Sequence, residues 1–152
     1  MPTKLGEIAE FFVRKLMPNP KFDSTEPNTD QSLLFPAFLD RVQFCISLYR
    51  TSHENQDIAF TETYRSNALQ LIHYNNGASK IKANGMHHYG IAADCIFVIN
   101  GRRTYKGDVM GLRKIFKDNE LVILGMWDAF HVQFIPVSEQ SALRNEVRKL
   151  VD

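Results

Sequence analysis

Residues 91–99 constrain the fold more than any other part of the sequence. The segment is Ile-Ala-Ala-Asp-Cys-Ile-Phe-Val-Ile, which is apolar apart from one aspartate. An apolar run of this length predicts a strand that is buried within a sheet. The dipeptide Asn100-Gly101 follows directly and favours a tight hairpin, so we expect residues 102–105 to return as the next strand.

Helices and short strands surround this hairpin in an irregular order. Apolar residues recur at helical spacing before residue 16, and a stronger stripe marks the main core helix. The predicted helices cover residues 5–16, 32–52, 66–75 and 108–117, and a last one is capped by Ser138; further strands cover residues 58–65, 121–124 and 130–135. This order predicts an α+β fold rather than a regular βαβ alternation.

Length and charge exclude several classes of protein. The chain has 152 residues, with 18 Lys and Arg against 17 Asp and Glu, and so a net charge of +1. Such a balance argues against a nucleic-acid partner held by bulk charge. No apolar run reaches the roughly 18 residues of a membrane span, so we expect no membrane insertion. Cys45 and Cys95 form no metal-binding or disulfide framework, and we expect both to be free, buried thiols.

We expect one domain over residues 1–152. Residues 1–31 are interpreted as a helical arm and a proline-rich loop that dock on a core formed by residues 32–152. The amphipathic N-terminus lacks the continuous apolar core of a signal peptide. We therefore expect synthesis in the cytoplasm, without a signal peptide.

Asp94 is a carboxylate within the apolar strand. A buried carboxylate needs a cation, a metal or several hydrogen-bond donors. The sequence leaves two interpretations open: Asp94 is a metal ligand, or it is a structural residue satisfied by backbone amides or by an arginine.

Two histidines can converge on Asp94. His87 precedes it by seven residues with the turn-permitting Gly90 between them, and His131 lies in a second strand. Two histidines and one carboxylate can form the three-ligand set of a catalytic zinc, with a fourth position open to water. The alternative is that these histidines pack or face solvent. His88 competes with His87, since adjacent side chains in extended backbone point in opposite directions.

Two charged residues lie near this set in the sequence. Asp128, three residues before His131, is either a second carboxylate beside the metal or an ordinary turn residue. Arg65 is predicted to end the strand over residues 58–65. Its guanidinium could reach a substrate carboxylate or oxyanion; the alternatives are a surface arginine, or a salt bridge to a neighbour such as Glu62.

Three motifs in order resemble one family of peptidases. The segment His87-His-Tyr-Gly90-Ile-Ala-Ala-Asp94 resembles the His-x-x-Gly-x-Ala-x-Asp signature of the zinc D-Ala-D-Ala carboxypeptidase and L-alanyl-D-glutamate endopeptidase family. That family includes vancomycin-resistance dipeptidases and many phage endolysins. Asp128-Ala-Phe-His131 resembles its second motif, and Thr61-Glu-Thr-Tyr-Arg65-Ser66 resembles the segment with the substrate-contacting arginine. Together these motifs cover residues 60–135.

The resemblance implies a function and a role for each residue. It implies a small antiparallel sheet flanked by helices, with Zn²⁺ in a cleft along the sheet. The zinc ligands would be His87, Asp94 and His131, with Asp128 as general base and Arg65 stabilising the oxyanion. The residues implied to contact substrate are Tyr64, Ser66, Tyr89 and Trp127. The chain departs from the family at Gly85, where many members have serine, and at Phe130, where many have proline.

The implied substrate is a peptidoglycan stem peptide. We favour cleavage of the L-alanyl-D-glutamate bond by a monomer, and D-Ala-D-Ala carboxypeptidase or dipeptidase activity is the alternative. Two other classes stay open: a catalytically inactive, zinc-containing module that binds the cell wall, and a protein whose histidines only pack. The enzyme would reach the wall after lysis, holin-type release or injection.

Overall fold

A computed structural model describes residues 3–152. Its helices are α1 (Lys4–Phe11), α2 (Pro36–Ser52), α3 (Asn67–Asn75), α4 (Val109–Asp118) and α5 (Gln140–Val151). Its strands are β1 (Gln56–Glu62), β2 (Ala92–Ile99), β3 (Arg102–Thr104), β4 (Val122–Ile123) and β5 (His131–Gln133). The α+β class predicted from the sequence is confirmed.

Strand β2 is the centre of a small antiparallel sheet. The strand order is β1-β2-β5-β4, and β3 also pairs with β2 through the predicted hairpin. Along its length β2 therefore pairs with β1 on one side, and with β5 and then β3 on the other. The inner residues Ala93, Cys95 and Phe97 are fully buried, as the apolar run predicts.

Helix α2 packs on this sheet through the stripe seen in the sequence. Phe38, Val42, Cys45, Ile46 and Tyr49 are buried along one side of the helix. The helix contacts β1 and α4. Pro36 occupies its first turn, where no backbone N–H donor is needed.

The N-terminal helix is part of the core. Helix α1 continues into one turn of π-helix over residues 12–16 and packs against α5, the last helix of the chain. Ile8 and Ala9 are fully buried, and Leu16 nearly so. The predicted arm therefore contributes to the same hydrophobic core as the sheet.

Three predicted boundaries are wrong. The first strand ends at Glu62 with an irregularity in its pairing, so Arg65 lies beyond the strand. Ser138 does not cap the last helix: it lies in a 3₁₀ turn over residues 137–139, and Glu139 precedes α5. The strand predicted over residues 130–135 shortens to β5 because only three of its residues pair with β2.

Two expectations from the sequence concern the cysteines and membrane-spanning helices. Cys45 and Cys95 are buried free thiols, as expected. Burial raises the pKa of the Cys45 thiol to about 11. Within residues 3–152, no helix combines the length and apolar character needed to cross a bilayer.

Gly90 is the one position where the backbone and its neighbours both exclude a side chain. Its φ is +72°, and a Cβ atom there would lie 2.7 Å from the carbonyl oxygen of Leu33. We expect Gly90→Ala to lower the free energy of unfolding by more than the roughly 1–3 kcal/mol that a left-handed backbone costs a residue with a side chain. Urea unfolding measures the loss.

Gly77→Ala is the matched control. Gly77 has a φ of +81°, but a Cβ atom there would meet nothing within 4 Å. The free energy of unfolding of this variant should fall only by the cost of the left-handed backbone. Equal losses in the two variants would show that the contact with Leu33 is unimportant.

Candidate metal centre

Pairing across three strands places the candidate residues in one row. Asp94 of β2 lies opposite Glu62 of β1 on one side and opposite His131 of β5 on the other. Side chains that are directly opposite in an antiparallel pair have Cβ atoms about 4.5–5.5 Å apart. The register therefore brings His131 to Asp94, although 37 residues separate them in the chain.

His87 reaches this row from the turn that precedes β2. The turn closes through hydrogen bonds from the Gly90 and Ile91 amides to the carbonyls of His87 and Met86. The positive φ of Gly90 reverses the chain there. The amide of Arg65 donates to the His87 carbonyl, which ties the turn to the segment after β1.

His87, Asp94 and His131 form a cluster that could hold a metal ion. One donor atom from each lies within 4.8 Å of the other two. Asp94 Oδ1 is 3.2 Å from His131 Nδ1 and 3.4 Å from His87 Nε2. This is the ligand set that the sequence singled out.

The hydrogen bonding of His87 leaves one ring nitrogen ready to bind a cation. Its Nδ1 lies 2.8 Å from the carbonyl oxygen of Thr63, so the ring donates its proton there. The other nitrogen, Nε2, is buried without a hydrogen-bond partner among the described residues. A buried, unprotonated nitrogen that faces a carboxylate fits a metal ligand.

A second hydrogen-bond chain sets the tautomer of His131. The side-chain amide nitrogen of Gln133 donates to the Ile135 carbonyl at 2.8 Å, which turns Oε1 towards His131. His131 Nε2 lies 2.7 Å from that oxygen and donates its proton to it. When the ring is neutral, Nδ1 is then the nitrogen that faces Asp94 with a free lone pair.

Asp94 is ionised in this setting. Burial alone would raise the pKa of its carboxyl, but the positive charges of the His87 and His131 rings in their protonated forms outweigh burial and hold the pKa far below its usual value. Arg65 adds a further positive charge, with Nη2 3.6 Å from Asp94 Oδ2. Both interpretations of Asp94 from the sequence therefore have a physical basis here, since an arginine and two potential co-ligands surround it.

Asp128 lies beside the cluster and keeps contact with solvent. It ends a short 3₁₀ helix over residues 126–128, and its Oδ2 is 3.7 Å from His131 Nδ1. Its side chain is 38% exposed. Partial burial raises the pKa of Asp128, and the nearby charge of Asp94 acts in the same direction. A carboxylate with this environment can accept a proton from a water molecule in the cleft.

Arg65 is held by two partners besides Asp94. Its Nε and Nη2 donate to Glu62 Oε1, and its Nη1 donates to Gln70 Oε1 at 3.0 Å. The salt bridge to Glu62 that the sequence allowed is therefore formed, and it is nearly buried. It fixes the guanidinium at the wall of the cleft, where Nη1 retains one further N–H.

The cluster opens into a cleft of about 730 Å³. This volume is within the range of roughly 300–1,000 Å³ that is usual for ligand sites. Besides the cluster, its walls include Glu62, Arg65, Gln70, His73, the loop of residues 77–81, Trp127, Asp128, Gln133 and Gln140.

The four residues expected to contact substrate have different positions. Trp127 lines the cleft and is 82% exposed. Tyr64, Ser66 and Tyr89 are buried and do not line it. The Tyr64 hydroxyl donates to the Phe22 carbonyl, and Ser66 accepts from the Leu69 amide as the N-cap of α3.

His88 points away from the cluster. Its ring packs between Phe12, Phe22 and Tyr64, and burial lowers its pKa to about 4. Of the two adjacent histidines, His87 is therefore the one that meets Asp94.

Sequence reasoning missed Arg113, which supports the loop that carries Asp128. The arginine is buried on α4 and donates to the carbonyls of Ala129 and Leu124. The signal was present, because Arg113 falls on the apolar side of α4 with Leu112 and Phe116. A charged residue at such a position indicates a buried acceptor.

Comparison with known structures supports the fold. The chain is similar to the L-Ala D-Glu endopeptidase ChiX from Serratia marcescens, with a TM-score of 0.54 and 18% identity. The match covers 69% of this chain and 83% of ChiX. At this identity the likeness shows a shared fold, a small antiparallel sheet flanked by helices. No protein-family model matches the sequence, and no curated protein matches it.

Proposed function

We propose that this protein is a zinc-dependent hydrolase of peptidoglycan stem peptides, and that it cuts the L-alanyl-D-glutamate bond. The observation that carries the proposal is the convergence of the unpartnered His87 Nε2 with Asp94 and His131 Nδ1 at the base of an open cleft. The similarity of the fold to an L-Ala D-Glu endopeptidase supports the choice of substrate.

The donor set favours zinc over the harder cations. Two imidazole nitrogens and one carboxylate are typical of a catalytic zinc site with three protein ligands, whereas magnesium and calcium prefer oxygen ligands. Zinc in such a site supplies a Lewis acid that polarises the oxygen atoms it contacts.

Asp128 would carry the proton in the reaction. Its carboxylate accepts a proton from the attacking water and passes it to the nitrogen of the leaving amine, so the two products separate as acid and amine. The raised pKa of Asp128 suits this exchange, because a stronger base takes the proton more readily. No covalent acyl-enzyme is required.

Arg65 would stabilise the charge that develops on the carbonyl oxygen. The Glu62 and Gln70 contacts hold its guanidinium before substrate arrives, so little reorganisation is needed. Trp127, exposed beside Asp128, offers a flat apolar surface to the peptide.

The position of Asp128 favours an enzyme over an inactive wall-binding module. A zinc site that only stabilises a fold is closed by protein ligands and needs no base. Here a partly buried carboxylate lies 3.7 Å from a candidate ligand on the open side of the cluster. D-Ala-D-Ala carboxypeptidase activity uses the same chemistry and is an outcome of the test below.

Digestion of purified peptidoglycan, followed by mass spectrometry, tests the proposal. We expect new fragments that end in L-alanine and begin with D-glutamate, formed with zinc and lost with a chelator. Release of D-alanine alone would show carboxypeptidase activity. A zinc-loaded protein that releases neither would contradict the proposed function.

Gln133 should tune the affinity for the metal. We expect Gln133→Leu to weaken zinc binding by about 10–100-fold, because His131 Nε2 loses its acceptor and the ring is no longer held with Nδ1 free. Gln133→Glu keeps an acceptor at this place and should retain tight binding. Chelator competition gives the affinities; equal affinity in the leucine variant would remove Gln133 from this role.

A further inference from the structure

The charges that line the cleft do not balance. Glu62, Asp94 and Asp128 contribute three carboxylates, and Arg65 and Lys80 contribute the cationic side chains besides the histidines. Arg65 is already hydrogen-bonded to Glu62 and lies 3.6 Å from Asp94. Its charge is therefore largely satisfied within the protein.

Lys80 is different, because its charge is not used within the described part of the chain. Lys80 is exposed on the cleft wall, and within residues 3–152 it forms no salt bridge. A lysine ammonium that is available for three hydrogen bonds and faces a cleft is a binding group for an anion.

A buried glutamine binds the residues on both sides of Lys80. Gln70 Nε2 donates to Ser79 Oγ at 2.8 Å and to the Ile81 carbonyl at 2.7 Å. The Oε1 of the same side chain accepts from Arg65 Nη1. Gln70 is 4% exposed, so water competes little with these bonds. The loop that carries Lys80 is thus tied, through Gln70, to Arg65 beside the metal cluster.

We propose that Lys80 binds a carboxylate of an acidic peptide substrate in this cleft, and so selects the acid over its amide. The inference rests on the proposed function for the identity of the peptide. In a stem peptide the D-glutamate continues through its side-chain carboxyl, which leaves its α-carboxylate free on the carbon beside the leaving nitrogen. Asp128, which lies outside the proposed ligand set, would repel that carboxylate, and the charge of Lys80 offsets this repulsion. In peptides where the group is amidated, the attraction is absent.

The test compares two peptides that differ by one group. They are L-alanyl-D-glutamyl stem peptides with the α-carboxylate either free or amidated. Calorimetric binding is measured on zinc-loaded protein that carries Asp128→Asn, so that turnover is slow, with Lys80 intact or replaced by Lys80→Gln. We expect the free acid to bind about tenfold more tightly than the amide, and this preference to vanish in Lys80→Gln.

Lys82→Gln is the matched control, since Lys82 is exposed on the same loop but does not line the cleft. It should keep the full preference, and Lys80→Arg should restore most of it. The inference is overturned if Lys80→Gln weakens the binding of both peptides equally, if it changes the affinity for neither, or if neither peptide binds.

Cleavage by protein with Asp128 intact is measured on the same peptides. Binding that depends on Lys80 without cleavage would contradict the proposed function and leave the carboxylate site standing. Cleavage without a preference for the acid would support the proposed function and contradict the carboxylate site at Lys80.

Discussion

Replacing His131 by alanine should remove the metal and the activity together. The variant keeps only His87 and Asp94 as ligands, and two ligands do not hold zinc at the affinity that three provide. We expect zinc content to fall from near one per chain to near zero. Peptide cleavage should fall by at least the roughly 10²–10⁴-fold that loss of a general base costs, because the polarising cation is lost.

His73→Ala is the control for this experiment. His73 lines the same cleft but lies outside the cluster of three, so its loss should leave zinc content unchanged. Circular dichroism on both variants separates metal loss from unfolding. A folded His131→Ala protein that still carries one zinc would show that His131 is not a ligand.

Asp128→Asn should separate chemistry from metal binding. The amide has nearly the shape of the carboxylate but cannot accept the proton of the attacking water. We expect cleavage to fall by about 10²–10⁴-fold while zinc content stays near one per chain. The backbone N–H of residue 128 donates to the Gly125 carbonyl, and the substitution leaves this hydrogen bond unchanged.

Asp118→Asn provides the matched surface change. Asp118 is exposed on α4, where it pairs with Lys114, and its loss should change neither property. Metal analysis and peptidoglycan digestion are run on both variants together with the parent protein. Cleavage by Asp128→Asn at the parent rate would assign the base to another group.

The sequence alone drew attention to polar residues that lie in otherwise apolar segments. A lone aspartate in an apolar strand and two histidines that could fold back to it allowed the cluster, the family resemblance implied it, and the structure brings all three together. The α+β class followed from the order of the predicted helices and strands and from the hairpin signal after β2, and the resemblance implied the small antiparallel sheet. These inferences held because strand alternation and turn chemistry are local properties that a single sequence carries.

Other parts of the site depend on contacts that no local pattern encodes. The acceptor for His87 Nδ1 is a backbone carbonyl, that of Thr63, and every residue offers such an oxygen. The Gln70 contacts to Ser79 and Ile81 depend on how a loop folds back on α3. The resemblance implied that Tyr64 and Tyr89 contact substrate, yet both are buried away from the cleft; no local pattern distinguishes the two places, because aromatic residues suit both.

The pairing of α1 with α5 affects how the chain can fold during synthesis. Helix α1 leaves the ribosome before α5, which contacts it and is made more than a hundred residues later. Until α5 is made, α1, which carries the buried Ile8 and Ala9, lacks the cover of that helix. A nascent chain that stops before residue 140 would therefore expose the apolar surface of α1. We expect chaperones and proteases to bind such a chain. The three residues of the candidate metal cluster have all been made by residue 131, before α5 is available to pack against α1.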